Sequence, residues 1–235
     1  MLIVLEGVDS SGKATQTALL EEYLKNKGER TMHVTFPDYD SPSSALVKQY
    51  LGGSFGTEAD SVSPYAASTF YAVDRYASYK TKWGGFLKSG GLVVCDRYVT
   101  SNMIHQAAKL SDRKEKDAFL QWIFDLEYGK LSLPQPDLVF FLDMPPAYAQ
   151  QLMRKRANKI TGKAEKDIHE RDAHHIEKAY EAALYVAKKY QWKIIPCVAN
   201  GELRSIASIH ADIVQITEGA LHGISTPNTC RSEHL

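Results

Sequence analysis

Residues 2–17 read LIVLEGVDSSGKATQT, an apolar run followed at once by a glycine-rich turn. The run has the length and composition of a buried strand. The turn carries Gly7, four further residues, then Gly12 and Lys13. The glycines let the backbone turn tightly, so that successive amide N–H groups face one point, and a following helix adds its positive dipole end. The stretch predicts a strand, a phosphate-binding loop and a helix; an ordinary glycine-rich turn is the alternative.

The loop lacks one group that phosphate loops usually have. Most place a Ser or Thr hydroxyl on Mg²⁺ directly after the lysine, and this chain has Ala14 there. Thr15 lies about 100° further round the helix and is poorly placed to replace that hydroxyl. Mg²⁺ keeps several waters and usually takes only one or two protein carboxylates. We therefore expect a displaced or water-mediated metal site near Asp9 and Asp96.

Apolar runs and helical segments alternate along the rest of the chain. The further runs occupy residues 32–36, 92–95, 138–142 and 193–198, and the helical segments occupy residues 13–27, 64–88, 101–128 and 172–190. This alternation predicts an α/β fold with a parallel sheet, in which ligands bind at the carboxyl ends of the strands. The residues expected at those ends suit phosphates, nucleotides or metals: Gly7 to Lys13, Phe36 and Pro37, Asp96 and Arg97, and Asp143.

Composition limits the class of protein. The 235 residues are enough for one domain with a full core, expected over residues 1–218, with a disordered tail at 219–235. Lys and Arg number 28 and Asp and Glu number 28, so no basic excess indicates a nucleic-acid partner. No apolar stretch approaches the roughly 18 residues of a membrane span, and no leader is expected before the first strand. Three scattered cysteines suit a reducing compartment, so we expect a cytoplasmic protein.

Five segments together resemble one family. They are GVDSSGKATQT at 7–17, FPDY at 36–39, YAVDR at 71–75, DRYVTSNMIHQ at 96–106 and PDLVFFLDMPP at 136–146. In this order they resemble thymidylate kinases over residues 1–200. The resemblance implies a three-layer P-loop nucleoside-monophosphate-kinase fold with a five-stranded parallel sheet and a mobile lid. It also implies Mg²⁺-dependent transfer from ATP to dTMP, which supplies dTDP for dTTP synthesis, in a homodimer.

The resemblance also assigns residues to roles. The ATP phosphates would meet Gly7, Val8, Asp9, Ser10, Ser11, Gly12, Lys13, Ala14 and Thr15. The dTMP site would comprise Asp9, Phe36, Pro37, Tyr71, Arg75, Arg97, Ser101, Asn102 and Gln106. The metal would be held by Asp9, Asp96 and Glu170. The catalytic residues would be Asp9, Lys13, Arg97, Arg154 and Arg156.

The chemistry of these residue types agrees with the roles. An aromatic face stacks on a base with about 1–3 kcal/mol, so we expect Phe36 against thymine, with Arg75 and Asn102 at its polar edge. The planar fork of Arg97 suits a phosphate, because it donates two parallel hydrogen bonds. Tyr71 and Arg75 lie four residues apart and share a helix face. In the alternative interpretation Phe36 is ordinary core and Arg75 pairs with a surface carboxylate.

Residues 154–171 predict a mobile lid, because they are polar and rich in basic side chains. The interior of the phosphate loop, residues 8–11, contains no arginine. The cation that stabilises the transferring phosphoryl group is therefore expected from the lid, as Arg154 or Arg156. A solvated basic helix end is the alternative.

Two other functions fit parts of the sequence. The same fold can serve another pyrimidine nucleotide or a deoxynucleoside, because one methyl group is worth only about 1–3 kcal/mol in a pocket. A nucleotide-binding module without turnover is the other alternative, and Ala14 is the residue that motivates it.

Overall fold

A computed structural model describes residues 1–160 and 173–225 of the chain. For residues 154–160, 173–175 and 224–225 it describes the backbone alone. No helix in this part of the chain combines the length and apolar character needed to cross a membrane.

A sheet of five parallel strands forms the centre of the fold, in the order β2-β3-β1-β4-β5. The strands are β1 (Leu2–Glu6), β2 (Thr31–Thr35), β3 (Leu92–Asp96), β4 (Leu138–Asp143) and β5 (Lys193–Pro196). The predicted α/β class and parallel sheet are confirmed. The last predicted strand, residues 193–198, is shorter than expected and pairs over Lys193–Pro196; positive φ angles at Asn200 (53°) and Gly201 (78°) then turn the chain back. A small antiparallel hairpin results, formed by β6 (Val198–Ala199) and β7 (Glu202–Leu203).

Helices connect the strands and cover both faces of the sheet. They are α1 (Lys13–Asn26), α2 (Ala45–Leu51), α3 (Pro64–Ser78), α4 (Gly84–Lys88), α5 (Val99–His105), α6 (Arg113–Phe124), α7 (Pro146–Ile160), α8 (Ala173–Lys189) and α9 (Ile206–Ser225). Short 3₁₀ turns occupy Pro42–Ser44, Ala59–Ser61 and Ala107–Lys109, and π-helical turns occupy Tyr79–Trp83 and Asp125–Lys130.

The side chains of β1 divide the core into two layers. Leu2 and Val4 pack on one face of the sheet in a cluster with Phe119 of α6. Ile3 and Leu5 pack on the other face, in a cluster that includes residues of α1 and α9. A parallel strand buried on both faces has no polar side to show, which explains why the run is apolar throughout. The result is a three-layer fold, as the sequence predicts.

Two predicted helical segments are interrupted. Residues 64–88 contain the π-helical turn Tyr79–Trp83 between α3 and α4. Residues 101–128 divide at Asp112, whose carboxylate accepts hydrogen bonds from the backbone N–H of Lys114 at 2.9 Å and Glu115 at 3.0 Å and so begins α6. The predicted start of α3 is confirmed: Ser63 caps the helix through Ala66 N–H at 3.2 Å.

Two of the longer helices, α7 and α9, were not predicted. Ile209, Ile213 and Thr217 of α9 are buried at intervals of four residues, which is the spacing of one helix face. Because α9 continues to Ser225, the prediction of a disordered tail is wrong for residues 219–225; residues 226–235 lie outside the described part of the chain.

Candidate active site

The glycine-rich turn after β1 wraps around a lysine. Lys13 Nζ donates hydrogen bonds to the carbonyl oxygens of Gly7 at 2.9 Å and Val8 at 2.8 Å. Gly12 stands before the first residue of α1 with φ 92°, in the left-handed region that favours glycine. A Cβ on Gly7 would lie 3.1 Å from the carbonyl oxygen of Leu142, so the loop also needs glycine for its close approach to β4.

A cavity of ≈ 480 Å³ opens beside this loop and is called the loop cavity below. Its lining comprises Asp9, Ser10, Gly12, Lys13, Ala14, Thr15, Asp96, Arg97 and Leu152. Most residues predicted to meet the ATP phosphates are therefore brought together. Gly7, Val8 and Ser11 are buried and do not line the cavity.

A second cavity of ≈ 210 Å³, called the base cavity below, lies between the ends of β2 and β3 and helices α3 and α5. Its lining comprises Asp9, Phe36, Pro37, Tyr39, Leu51, Tyr71, Arg75, Arg97, Tyr98, Ser101, Asn102, His105 and Gln106. All nine residues predicted for the dTMP site are in this list. The two cavities share two residues, Asp9 and Arg97, so they meet at this pair.

Arg97 is held from three sides at the junction of the cavities. Its Nη2 donates to the Asp9 carboxylate, and its Nη1 lies 2.9 Å from Nε2 of His105 and 3.4 Å from Oγ of Ser101. The backbone of Arg97 has φ 69°, a left-handed conformation uncommon for a residue with a Cβ. Burial acts to lower the pKa of Arg97, but the carboxylates around it, with Asp9 first, outweigh burial and raise the pKa. The guanidinium is therefore a fixed positive charge.

Phe36 combines the two interpretations that the sequence left open. Only 3% of the residue is exposed, and it belongs to the core cluster that includes Tyr98. It also lines the base cavity, and the Phe36–Pro37 peptide bond is cis. One part of the ring surface therefore faces the cavity, and the rest packs in the core.

Arg75 pairs with a carboxylate, although not with one at the surface. Its Nε donates to Oε2 of Glu127 at 2.6 Å and its Nη2 donates to Oε1 of the same residue. Only 1% of Arg75 and 0% of Glu127 is exposed. A buried pair of this kind is strongly held once formed, because either charge alone would be costly in the interior. Arg75 is therefore fixed where it lines the base cavity.

Two carboxylates near the loop fit a magnesium ion. Asp9 and Asp96 both line the loop cavity, and the buried Oδ1 of Asp96 has no hydrogen-bond partner within the described residues. One or two carboxylates with waters and substrate phosphates are the usual set for Mg²⁺. No cluster of three or more His, Cys, Asp or Glu side chains in the described part of the chain is arranged to hold a metal. Glu170, the third predicted ligand, lies outside the described residues.

The predicted lid at 154–171 is only partly described. Residues 154–160 form the end of the α7 backbone, and the side chains of Arg154 and Arg156 lie outside the described part of the structure. Leu152, two residues before Arg154, lines the loop cavity, so this part of α7 lies beside the phosphate loop.

Comparisons with known proteins agree with this geometry. A family model described as thymidylate kinase matches residues 5–209. The chain belongs to the thymidylate kinase family. It is 34% identical over 174 residues to the thymidylate kinase of Mycobacterium tuberculosis (strain ATCC 25618 / H37Rv), which covers 74% of this chain and 79% of that protein. It is 30% identical over 213 residues to that of Plasmodium falciparum (isolate 3D7), covering 91% of this chain and 87% of that protein.

The fold is also that of a solved thymidylate kinase. The enzyme from Candida albicans superimposes with a TM-score of 0.67 over 93% of this chain and 91% of its own, at 21% identity. The predicted five-stranded P-loop kinase fold is thus confirmed.

Sequence reasoning missed several residues of the thymidylate kinase site. Tyr39, Leu51 and Tyr98 line the base cavity without having been singled out. More important are two buried carboxylates, Glu6 and Glu127, which contact the lining from behind. The available signal was a charge inside an apolar segment, since Glu6 ends the first strand and Glu127 follows the apolar end of α6.

Lys13 provides a test of the loop geometry by its protonation. Burial lowers the pKa of Lys13 to about 8, and the charge of Arg97 adds to this effect. The unfolded chain keeps its lysine protonated up to a pH of about 10.4, so between these values it binds more protons than the folded protein, and stability rises with pH. Methionine does not titrate, so we compare the free energy of unfolding of Lys13→Met with that of the wild type. The variant-minus-wild-type difference should be larger at pH 7 than at pH 10, by about 2 kcal/mol.

Urea unfolding at both pH values measures this difference. Lys25→Met, which changes an exposed lysine on the same helix, is the matched control. A Lys13→Met effect of equal size at pH 7 and pH 10 would contradict the buried, charged environment described for Lys13.

Proposed function

We propose that the protein phosphorylates dTMP to dTDP with ATP as donor and Mg²⁺ as cofactor, in dTTP biosynthesis. The observation that carries this proposal is the junction of the two cavities at Asp9 and Arg97. A phosphate loop lines one side of the junction, and an aromatic and polar pocket lines the other. A donor nucleotide and a nucleoside monophosphate placed in these cavities would meet end to end, phosphate against phosphate.

The base cavity suits the acceptor. Phe36 offers a ring for stacking, and Arg75 and Asn102 offer polar groups for the edge of the base. Arg97 stands at the junction, where its fork can hold the acceptor phosphate. The remaining lining residues of the predicted dTMP site, Pro37, Tyr71, Ser101 and Gln106, close the cavity around the nucleoside.

The reaction needs charge neutralisation more than it needs a base. The acceptor is an anionic phosphate oxygen, which attacks without prior loss of a strongly held proton. Lys13 at the loop and Arg97 at the junction supply fixed cations, and we assign the third, from the lid, to Arg154 or Arg156. Asp9 orients Arg97 through their ion pair and lies where it can also meet the sugar or the metal.

The metal site that we propose does not use a loop hydroxyl. Ala14 lines the loop cavity and has no ligand atom in its side chain. Asp96, with its unpartnered Oδ1, and Asp9 would hold Mg²⁺ through one carboxylate or through waters, with Glu170 as a third candidate. When bound, the ion neutralises charge that develops on the β- and γ-phosphates.

We further propose a homodimer in the cytoplasm. Helix α3 leaves Tyr65 and Val73 exposed, at 40% and 54%, and neighbouring α2 leaves Leu46 exposed at 43%. Apolar groups on adjacent helices support an interface with a second copy of the chain. Cys95 and Cys197 are buried free thiols, which suits the reducing conditions expected from the sequence.

The proposed reaction is tested by ADP release from ATP and Mg²⁺ with dTMP, dUMP, dCMP or thymidine as acceptor. We expect the highest kcat/KM with dTMP. Fast turnover with thymidine instead of dTMP would indicate a nucleoside kinase. ATP binding without turnover on any acceptor would indicate a binding module that lost its chemistry at Ala14.

Arg97→Ala is the decisive variant in that assay. We expect kcat/KM for dTMP to fall by about tenfold or more, because the acceptor phosphate loses a charge-assisted bidentate contact. Arg30→Ala is the matched control, since Arg30 is exposed and bonds to Ser89 near the opposite end of the sheet. Equal activity of the two variants would remove Arg97 from the acceptor site.

Asp96 provides the test of the metal site. Asp96→Asn should raise the Mg²⁺ concentration that gives half-maximal rate by about fivefold or more, because an amide oxygen is a weaker ligand than a carboxylate. Asp143→Asn is the control, because Asp143 also ends a strand of the sheet, β4, but accepts a hydrogen bond from Tyr180 at 2.7 Å. The Mg²⁺ concentration for half-maximal rate is measured for both variants. An unchanged value in Asp96→Asn would refute Asp96 as a ligand of the metal.

The interface is tested by sedimentation velocity. We expect the wild type to sediment with the mass of two chains and Val73→Glu to shift towards one chain, because a charge would be buried in the contact. Lys80→Glu, which changes an exposed residue two positions beyond the end of α3, is the comparison. A wild-type monomer would refute the homodimer.

A further inference from the structure

A buried carboxylate behind the base cavity organises two of its lining residues. Glu127 lies in the π-helical turn Asp125–Lys130 and is fully buried. It accepts hydrogen bonds from Nε and Nη2 of Arg75 and, through Oε1, from Nδ2 of Asn102 at 3.2 Å. A buried carboxylate is tolerated only when it is paired in this way. Glu127 itself does not line the cavity.

These contacts fix which way the Asn102 amide faces. Its Nδ2 donates to Glu127 and also to the backbone carbonyl oxygen of Ser68 at 3.2 Å. Both partners are acceptors, so the amino group must point at them. The oxygen, Oδ1, is then the atom of the amide left for a molecule in the base cavity, where it can only accept a hydrogen bond.

The same carboxylate fixes what Arg75 can offer. The edge of the guanidinium formed by Nε and Nη2 is bound to Glu127. A guanidinium has donors alone, so its remaining N–H groups can only donate. The base cavity therefore presents a fixed donor from Arg75 together with a fixed acceptor from Asn102.

That pair matches one class of pyrimidine. Thymine and uracil carry a carbonyl acceptor at position 4 beside an N–H donor at position 3. Cytosine carries an amino donor at position 4, and its unprotonated N3 is an acceptor, so its pattern is reversed. A reversed base would set donor against donor and acceptor against acceptor, and a site built for hydrogen bonds discriminates strongly in that case.

We propose that Glu127 is the positioning residue that makes the site select 4-keto pyrimidine nucleotides over 4-amino ones. This inference rests on the proposed use of the base cavity as the acceptor site. Glu127 acts through Arg75 and Asn102 and touches neither the base nor the reacting atoms.

Glu127→Gln tests the proposal because glutamine has nearly the same shape. One oxygen becomes an NH₂ group, so the side chain can no longer accept from both Nε and Nη2 of Arg75 and from Asn102. An NH₂ group that faces Asn102 repels Nδ2 and donates to Oδ1, so only the carbonyl oxygen of Ser68 still opposes a turned amide that offers its NH₂ to N3 of cytosine. We expect the ratio of the dCMP to the dTMP dissociation constant, measured by titration calorimetry, to fall by about tenfold or more. KM for dTMP should rise by more than kcat falls, because the reacting groups are untouched.

Asp125→Asn is the matched control, since Asp125 belongs to the same turn but is exposed and pairs only loosely with Lys130 at 3.6 Å. Thermal melting establishes that each variant is folded. If Glu127→Gln does not fold, Glu127→Asp replaces it: the shorter side chain keeps a charge for Arg75 but withdraws from Asn102, and the ratio should again fall.

The outcomes separate this inference from the proposed function. A wild type that binds dTMP in preference to dCMP without phosphorylating it would refute the kinase activity. The role of Glu127 would still be decided by comparing the dCMP-to-dTMP ratio of dissociation constants in the wild type and in the variant. A dCMP-to-dTMP ratio equal in the wild type and the folded Glu127 variant would overturn the inference, whatever the turnover. Equal affinity of the wild type for the two nucleotides would also overturn it.

Discussion

Glu6 makes the contact on which the site depends. It is the last residue of β1 and is fully buried, and it accepts hydrogen bonds from Tyr98 N–H at 3.1 Å, Thr100 Oγ1 at 2.6 Å and Ser101 Oγ at 2.8 Å. Burial raises the pKa of Glu6, and Arg97 and the hydroxyl groups act against that rise. Because β1 and β3 are neighbours in the sheet, this one side chain ties the start of α5 to the phosphate loop. The position of the base cavity relative to the loop cavity therefore depends on the hydrogen bonds of Glu6.

Other buried carboxylates orient the walls of the base cavity in the same manner. Asp74 accepts from the backbone N–H of Asp38 at 2.8 Å and from Ser43 Oγ at 2.6 Å, which holds the segment after β2 against α3. Glu127 holds Arg75, which lies on α3 like Asp74. Burying such charges contributes little to stability compared with apolar packing, and a gain in positional order is the better explanation for them here.

The parts of this structure that are local in sequence were predictable. The loop around Lys13 depends on glycine spacing within one short stretch, and each core strand shows its burial as an unbroken apolar run. The gathering of the predicted dTMP residues followed from strand ends and family motifs. The charge of Glu127 beside an apolar segment was visible, but its pairing with Arg75 was not predictable, because the two residues are 52 apart and nothing near either one indicates the other. Helix α9 was missed although its signal was local, because Ile209, Ile213 and Thr217 stand at the four-residue spacing of one helix face.

The position of Lys13, turned back onto its own loop, makes nucleotide binding depend on pH. In this structure Lys13 satisfies its hydrogen bonds with the carbonyl oxygens of its own loop, and its pKa is lowered to about 8. A polyphosphate brought beside it favours the charged form and raises that pKa again. In mildly alkaline solution the loop must therefore take up part of a proton as it takes up the nucleotide. Nucleotide affinity then declines as pH increases, with calorimetric heats that depend on the ionisation enthalpy of the buffer.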